Sequence, residues 1–302
     1  MKTLILIVGP TAVGKTKFSI FLAQELGTEI LSCDARQFYK ELKIGTAMPS
    51  DVELETIPHH FIGQLNVHQA YTAGDFERDA LQKIRSLFSK VDVVLMTGGS
   101  GLYEKAVTKG LNLFPQISPI VREEWITELK EKGLAFLQEK LKSQDPVYYQ
   151  RVDLRNPQRL IRALAVIKAI GQPFSSFQKS MFRPRDFRLI KIGLILPREQ
   201  IYRRIEQRVD QMMKMGLLQE AGECYTYRHL NALQTVGYKE IFRYIEGQCT
   251  LREAVDGIKK NTRRYAKRQL TWYRRDPTIT WFYPENRGLI LNFVRKGLKA
   301  QS

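Results

Sequence analysis

The sequence predicts an α/β fold, a parallel sheet flanked by helices and broken by a helical insertion domain, on three observations. Apolar runs of strand length alternate with segments of helical periodicity in the first third of the chain, as crossover-connected parallel strands require. A glycine-rich turn joins the first run to the first helix. From Ser118 to about Gly171 the pattern is helical throughout, with no strand-like run.

Each element follows from its residues. Thr3–Val8 is continuously apolar, as expected of a strand buried on both faces. Phe18, Phe21, Leu22 and Leu26 recur at helical spacing, and Gly27 closes that helix as a C-cap. Glu29–Asp34 reads as a second strand and Val91–Met96 as a third. In the insertion, Leu160, Ala163, Leu164 and Ile167 share one stripe. Pro184 and the run Leu189–Leu196 return the chain to the sheet. Pro197 then opens a long helix carrying Ile201, Ile205, Val209 and Met212. These boundaries give residues 1–115 and 187–302 to the sheet domain with a basic C-terminal helical region, and residues 116–186 to the insertion.

Composition narrows the class. A chain of 302 residues, 43% hydrophobic and 26% charged, is globular and can bury a proper core. Its 48 Lys+Arg against 31 Asp+Glu leave a formal charge of +17. Such a surplus favours a polyanionic partner through long-range potential and counterion release, a solvated basic surface being the alternative. Cys33, Cys224 and Cys249 are widely spaced and suggest neither a disulfide framework nor a zinc site. The apolar start Leu4–Val8 is too short for a secretory leader, and no apolar run nears the ~20 residues of a membrane span. A cytoplasmic protein without membrane association is expected.

Gly9-Pro10-Thr11-Ala12-Val13-Gly14-Lys15-Thr16 fits GxxxxGK[ST] between a predicted strand and a predicted helix, the context a P-loop needs. The fold class is therefore P-loop NTPase-like. Gly9 and Gly14 let the backbone curl so that successive N–H groups face one anion, reinforced by the helix N-terminus. Lys15 can reach a terminal phosphate, and the Thr16 hydroxyl can ligate Mg²⁺. The motif names a phosphate, not a reaction.

Asp34 ends the second strand, on the side of an open parallel sheet where ligands bind. It reads either as a general base or as a turn-capping carboxylate. Gln37 and Tyr39 follow as possible contacts to a base or ribose. Gly98–Tyr103 is a second glycine cluster at a strand exit, placing Ser100 and backbone N–H groups at the same rim. His59 and His60 are adjacent, poor geometry for one metal, and read as loop or packing residues. Lys259–Arg275 holds Lys259, Lys260, Arg263, Arg264, Lys267, Arg268, Arg274 and Arg275 with no acidic residue, and interleaves Tyr265, Trp272 and Tyr273. On a helix, Arg263 with Lys267 and Arg264 with Arg268 make a basic ridge whose aromatics can stack on unpaired bases. A solvated helix with its aromatics in the core fits the same composition.

Taken in order, these blocks resemble the tRNA dimethylallyltransferase (tRNA isopentenyltransferase) family. The resemblance runs through Gly9–Thr16, Ser32–Tyr39, Lys43–Pro49, His59–Gly63, Ala73–Ala80, Gly98–Tyr103, Gln158–Leu164, Thr235–Glu240 and Thr262–Arg274. It implies a channel with dimethylallyl diphosphate on the P-loop and the adenosine 3′ of the anticodon flipped into the other end. Asp34 then takes the N6 proton, with Lys15 and Ser100 beside it in catalysis and Thr16 on Mg²⁺. The tRNA contacts so implied are Asp34, Ala35, Arg36, Gln37, Ser100, Arg122, Gln158, Arg159, Leu160, Ile161, Arg162, Arg263, Arg264, Lys267 and Arg268. The insertion is expected on the anticodon stem-loop, and the protein as a monomer. Three positions depart from the family pattern. Ala35 stands where Ser is usual, Ser100 where Thr is usual, and Gly63 where Asp is usual. A small-molecule kinase would have the P-loop without needing the basic ridge. A non-catalytic RNA binder would need the ridge but not Asp34 beside a phosphate cradle.

Overall fold

In the computed structural model, which describes residues 1–112, 114–178 and 184–299, the chain divides into two compact units, residues 1–109 with 184–302 and residues 110–183. Residues 179–183 of the expected insertion and 300–302 of the C-terminal region lie outside the described residues. In chain order the first unit begins with β1 (Thr3–Val8), α1 (Lys15–Leu26), β2 (Ile30–Ser32), α2 (Asp51–Thr56), β3 (His59–His60), α3 (Ala73–Phe88), β4 (Val93–Thr97) and α4 (Gly101–Lys109). The second unit holds α5 (Pro119–Gln144), α6 (Pro146–Tyr149) and α7 (Pro157–Ile170). The first unit resumes with β5 (Arg188–Leu194), α8 (Arg198–Lys214), α9 (Leu217–Glu223), α10 (Tyr238–Ile245), α11 (Leu251–Tyr273), β6 (Thr280–Phe282) and α12 (Arg287–Lys299).

The sheet order is β3-β2-β4-β1-β5-β6, and every pairing is parallel. Leu4–Val8 of the central β1 are wholly buried, which explains their unbroken apolar run. Expected strand bounds shift where the chain turns away. The second strand stops at Ser32 rather than Asp34, because Asp34 already belongs to a turn. The third expected strand lies at Val93–Thr97 and is fourth in the chain. His59 and His60, read as loop or packing residues, are β3 itself. They pair with Ile30 and Leu31, and His60 Nε2 meets Glu29 at 2.6 Å.

The insertion unit packs its own core from Trp125, Leu137, Leu141, Leu160, Ile161, Ala163, Leu164, Ala165, Val166 and Phe174. It starts at Gly110, ahead of the expected residue 116. Gly133 breaks α5 with φ 78°, a conformation open to glycine. Where the first unit resumes, Arg185 donates from Nε to Val107 O (2.8 Å) and from Nη2 to Ala106 O (2.7 Å) and the Glu77 carboxylate (2.7 Å). The two stems of the insertion are thereby tied together within the first unit.

Candidate active site

The P-loop is built by glycine at two points. Gly9 has φ +149° and no room for a side chain, since a Cβ there would stand 2.5 Å from Leu194 O. Gly14, at φ 103°, caps the start of α1. Val13 is fully buried, so only its backbone can face the cavity beside the loop. Lys15 Nζ donates to Gly9 O (3.0 Å) and Pro10 O (2.9 Å), folded over its own loop. Burial pulls its ammonium down to about 8, against the opposing pull of the Asp34 carboxylate, and Arg208 adds to the depression.

Three residues outside the P-loop motif complete the loop, and none of them is singled out by that motif. Arg208 Nη1 donates to Thr11 Oγ1 (3.2 Å) and Arg204 Nη1 to Val13 O (3.3 Å), bringing two cations from α8. Burial, then Arg204 beside it, lowers the Arg208 pKa from its ordinary value. Thr11 N–H donates to Gln269 Oε1 (2.7 Å), and Gln269 Nε2 donates to Gly99 O (2.9 Å). Gln269 thus stitches the P-loop to the second glycine cluster from α11. Arg204 and Arg208 sit one helical turn apart, a signal present in the sequence but unplaced until α8 meets the loop.

Asp34 sits in a turn that it helps to hold. Arg36 N–H donates to Asp34 Oδ1 (3.0 Å), and Ala35 N–H donates to Ser100 Oγ (3.0 Å). The turn-capping reading of Asp34 is met, and the same residue lines both cavities described below. Ser100, expected as catalytic, accepts from that turn and lines the larger cavity. Gln37 Nε2 donates to Thr46 O (3.2 Å) and Ala47 O (3.1 Å) while its Oε1 accepts from Ser32 Oγ (3.1 Å). Tyr39 is 5% exposed and belongs to the core, so the possible ribose contact is withdrawn.

Two cavities meet here, both within the first unit. One, of about 330 Å³, is lined by Lys15, Thr16, Ser32, Asp34, Gln37, Met48, Pro49, His59 and Thr97 among others. The other, of about 800 Å³, is lined by Asp34, Arg36, Ser100, Tyr103, Arg243, Tyr265, Arg268, Gln269 and Trp272 among others. Thr11, Asp34, Thr46, Ala47 and Arg208 line both. Asp34 stands at the junction of a phosphate site and a basic, aromatic chamber.

The basic ridge on α11 is divided. Lys259 pairs with Asp210 (2.6 Å) and Arg263 with Glu206 (2.8 Å), both on α8. Arg263, expected as an RNA contact, thus also ties α11 to α8. Arg264, Lys267 and Arg268 remain exposed, with Arg268 lying 5.7 Å over the Tyr265 ring. Trp272 is 40% exposed and available for stacking, whereas Tyr273 is 1% exposed and is core. Gly101 admits Trp272 closely, since a Cβ there would lie 2.1 Å from the indole nitrogen.

In the insertion, Arg122, Gln158, Arg159 and Arg162 are exposed, and Arg122 Nη2 donates to Gln158 Oε1 (3.0 Å). Leu160 and Ile161, expected as RNA contacts, are 0% and 1% exposed in the insertion core. They are corrected to packing residues: on α7 they take the inward face while Arg159 and Arg162 take the outward one.

A metal fits only in part on protein donors. Among the described residues no group of three or more His, Cys, Asp or Glu gathers to hold an ion. Thr16 and Asp34 line the same cavity, and a hydroxyl with a carboxylate suits Mg²⁺, which takes few protein oxygens and completes its shell with phosphate and water. Among the described residues no helix is long and apolar enough to cross a membrane.

Fold and site define a class: a P-loop α/β protein whose phosphate pocket opens at a carboxylate into a second, cationic chamber. The family model described as IPP transferase matches residues 37–276. The chain is 51% identical to the tRNA dimethylallyltransferase of Christiangramia forsetii, over 98% of this chain and 99% of that one. It is 50% identical to the tRNA dimethylallyltransferase of Flavobacterium johnsoniae, over 99% of each. The full-length tRNA isopentenylpyrophosphate transferase of Bacillus halodurans superposes with a TM-score of 0.74 at 36% identity, covering 99% of this chain and 98% of that one. The chain belongs to the IPP transferase family.

Proposed function

We propose that the protein transfers the dimethylallyl group of dimethylallyl diphosphate to tRNA, at N6 of the adenosine immediately 3′ of the anticodon, and releases diphosphate. The observation that carries this is the pair of cavities joined at Asp34. A small-molecule kinase would also need an acceptor pocket, but not one ringed by cations and aromatics. The second chamber, ringed by Arg36, Arg243, Tyr265, Arg268 and Trp272, suits a base on a polyanionic strand. An adenosine in a loop is already unpaired, so flipping it into that chamber costs only a few kcal/mol.

The donor's diphosphate lies on the P-loop amides, Lys15 and Arg208. The N6 lone pair attacks the allylic C1 from the junction while the C1–O bond breaks, its electron pair going to the diphosphate oxygen. Lys15, Arg208 and the α1 N-terminus meet that growing charge. Asp34 accepts the proton from the alkylated nitrogen, leaving a neutral secondary amine. Thr16 would hold Mg²⁺, which would supply neutralisation of charge on the leaving group. On the RNA side we assign Arg264, Lys267 and Arg268 of α11, and Arg122, Gln158, Arg159 and Arg162 of the insertion, to the anticodon stem-loop. The protein works as a cytoplasmic monomer.

The test is incubation of the purified protein with radiolabelled dimethylallyl diphosphate, Mg²⁺ and unmodified tRNA. Label in RNA at the position 3′ of the anticodon is the expected result. Label absent from RNA, with ATP consumed and a small molecule phosphorylated, overturns the proposal in favour of a kinase.

A further inference from the structure

Part of the wall shared by the two cavities is a short loop, and it is held by residues remote from the chemistry. Thr46 and Ala47 line both chambers. Ala47 has φ +49°, an unusual conformation for a residue with a Cβ, so something must hold the loop in place. One restraint is Gln37, which takes the carbonyls of Thr46 and Ala47. The other comes from beneath. Ile44 N–H donates to Glu220 Oε2 (2.7 Å), Gly45 N–H donates to Glu220 Oε1 (2.9 Å), and Tyr238 OH donates to the same Oε1 (2.7 Å).

The fit is close. Tyr238 is fully buried, and a Cβ on Gly45 would lie 2.6 Å from three atoms of its ring and hydroxyl. Burial, then the Glu220 carboxylate, pushes the Tyr238 phenol far above its ordinary range, so it stays a donor. The restraints continue to the reacting centre: Gln37 Oε1 accepts from Ser32 Oγ, which accepts weakly from Asp34 N–H at 3.4 Å.

We propose that Glu220 and Tyr238 are positioning residues that set the wall between donor and acceptor, and through it the alignment of the two substrates at Asp34. This rests on the prenyl-transfer reading given above. The hydrogen bonds of Glu220 and Tyr238 described above run to each other and to Ile44 and Gly45, so donor affinity is left to Lys15 and Arg208. What the clamp controls is register between the amine and the allylic carbon, where a displacement of about 1 Å can cost on the order of a hundredfold in rate.

Glu220→Gln keeps the size but replaces one acceptor oxygen with an NH₂ that must face a backbone N–H or the Tyr238 hydroxyl. Tyr238→Phe removes one donor and keeps the ring against Gly45. Single-turnover transfer, binding of inorganic diphosphate, binding of tRNA and thermal melting are measured for both variants. The expected result is a transfer rate lower by about 10- to 100-fold in Glu220→Gln, with both affinities within about threefold and melting little changed. Tyr238→Phe should show a smaller loss of the same kind, and it alone decides if Glu220→Gln does not fold. Unchanged transfer, or a rate that falls only in step with both affinities, overturns the clamp. Absence of transfer by the unaltered protein instead overturns the prenyl-transfer reading, so the two failures are distinct.

Discussion

Raising the pH should loosen the grip of the P-loop on diphosphate through one residue. Burial holds the Lys15 ammonium at about 8, against an ordinary 10.5. A diphosphate in contact favours the charged form and brings the group back toward the ordinary value. The ligand therefore selects protonated Lys15. Affinity is at its full value below pH 8 and falls as pH rises through 8, by up to about tenfold per unit until the bound-state pKa is passed. Between those two values the ceiling is about 300-fold, or roughly 3 kcal/mol. Lys15 is partly open to the cavity, and water there screens the contact, so a loss of about 30-fold is the working figure. Calorimetric titration with inorganic diphosphate from about pH 7 to about pH 10, on the unaltered protein and on Lys15→Met, reads the effect. Subtracting the Met profile removes the ligand's own titration. Two parallel profiles would refute the reasoning, because the pH dependence would then belong to the ligand alone.

Asp34→Asn should separate chemistry from binding: a single-turnover rate lower by about 10²–10⁴, with diphosphate and tRNA affinities near normal. A small change in rate would leave Asp34 as a turn residue only. Lys267→Ala with Arg268→Ala should weaken tRNA binding and flatten its salt dependence by roughly one unit of slope for each phosphate no longer neutralised, whereas Arg263→Ala, already paired with Glu206, should change that slope little. Equal slopes for the two variants in a salt titration would contradict the division of the ridge. Arg208→Met should weaken diphosphate binding by roughly 1.5–3 kcal/mol, the worth of a hydrogen bond to a charged group, and unchanged affinity by calorimetry would remove Arg208 from the phosphate site.

The P-loop and its sheet were legible because their signals are local. A buried central strand must be an unbroken apolar run, and a phosphate loop needs glycine at fixed offsets. Asp34 was legible by position, as the residue leaving a strand on the ligand side. What escaped depends on contacts between distant segments. Gln269 meets Thr11 across most of the chain, and nothing near either residue announces it. Arg263 looked free because its partner Glu206 lies on another helix. The two-residue β3 and three-residue β6 are too short to carry a period. Leu160 and Ile161 failed for a different reason. A block of resemblance treats contiguous residues alike, whereas a helix sends neighbours to opposite faces.

The place of the insertion in chain order bears on how the protein is made. Strand β1 is the first to be synthesised and needs β4 on one side and β5 on the other. The insertion falls between those two partners, so a nascent chain reaches β4 with one edge of β1 still bare. At synthesis rates of ~5–20 residues per second, β5 follows roughly 5–20 seconds later. During that interval the insertion can fold around its own core, while the apolar edge of β1 stays open to pairing with other chains. Arg185 is among the first side chains made after the insertion, and its bonds to Ala106, Val107 and Glu77 join the late segment to the early one next to β5. Chains stopped before β5 should therefore be the ones that aggregate or are held by chaperones, and an arginine lost at position 185 should lower yield during expression more than it lowers the activity of molecules already folded.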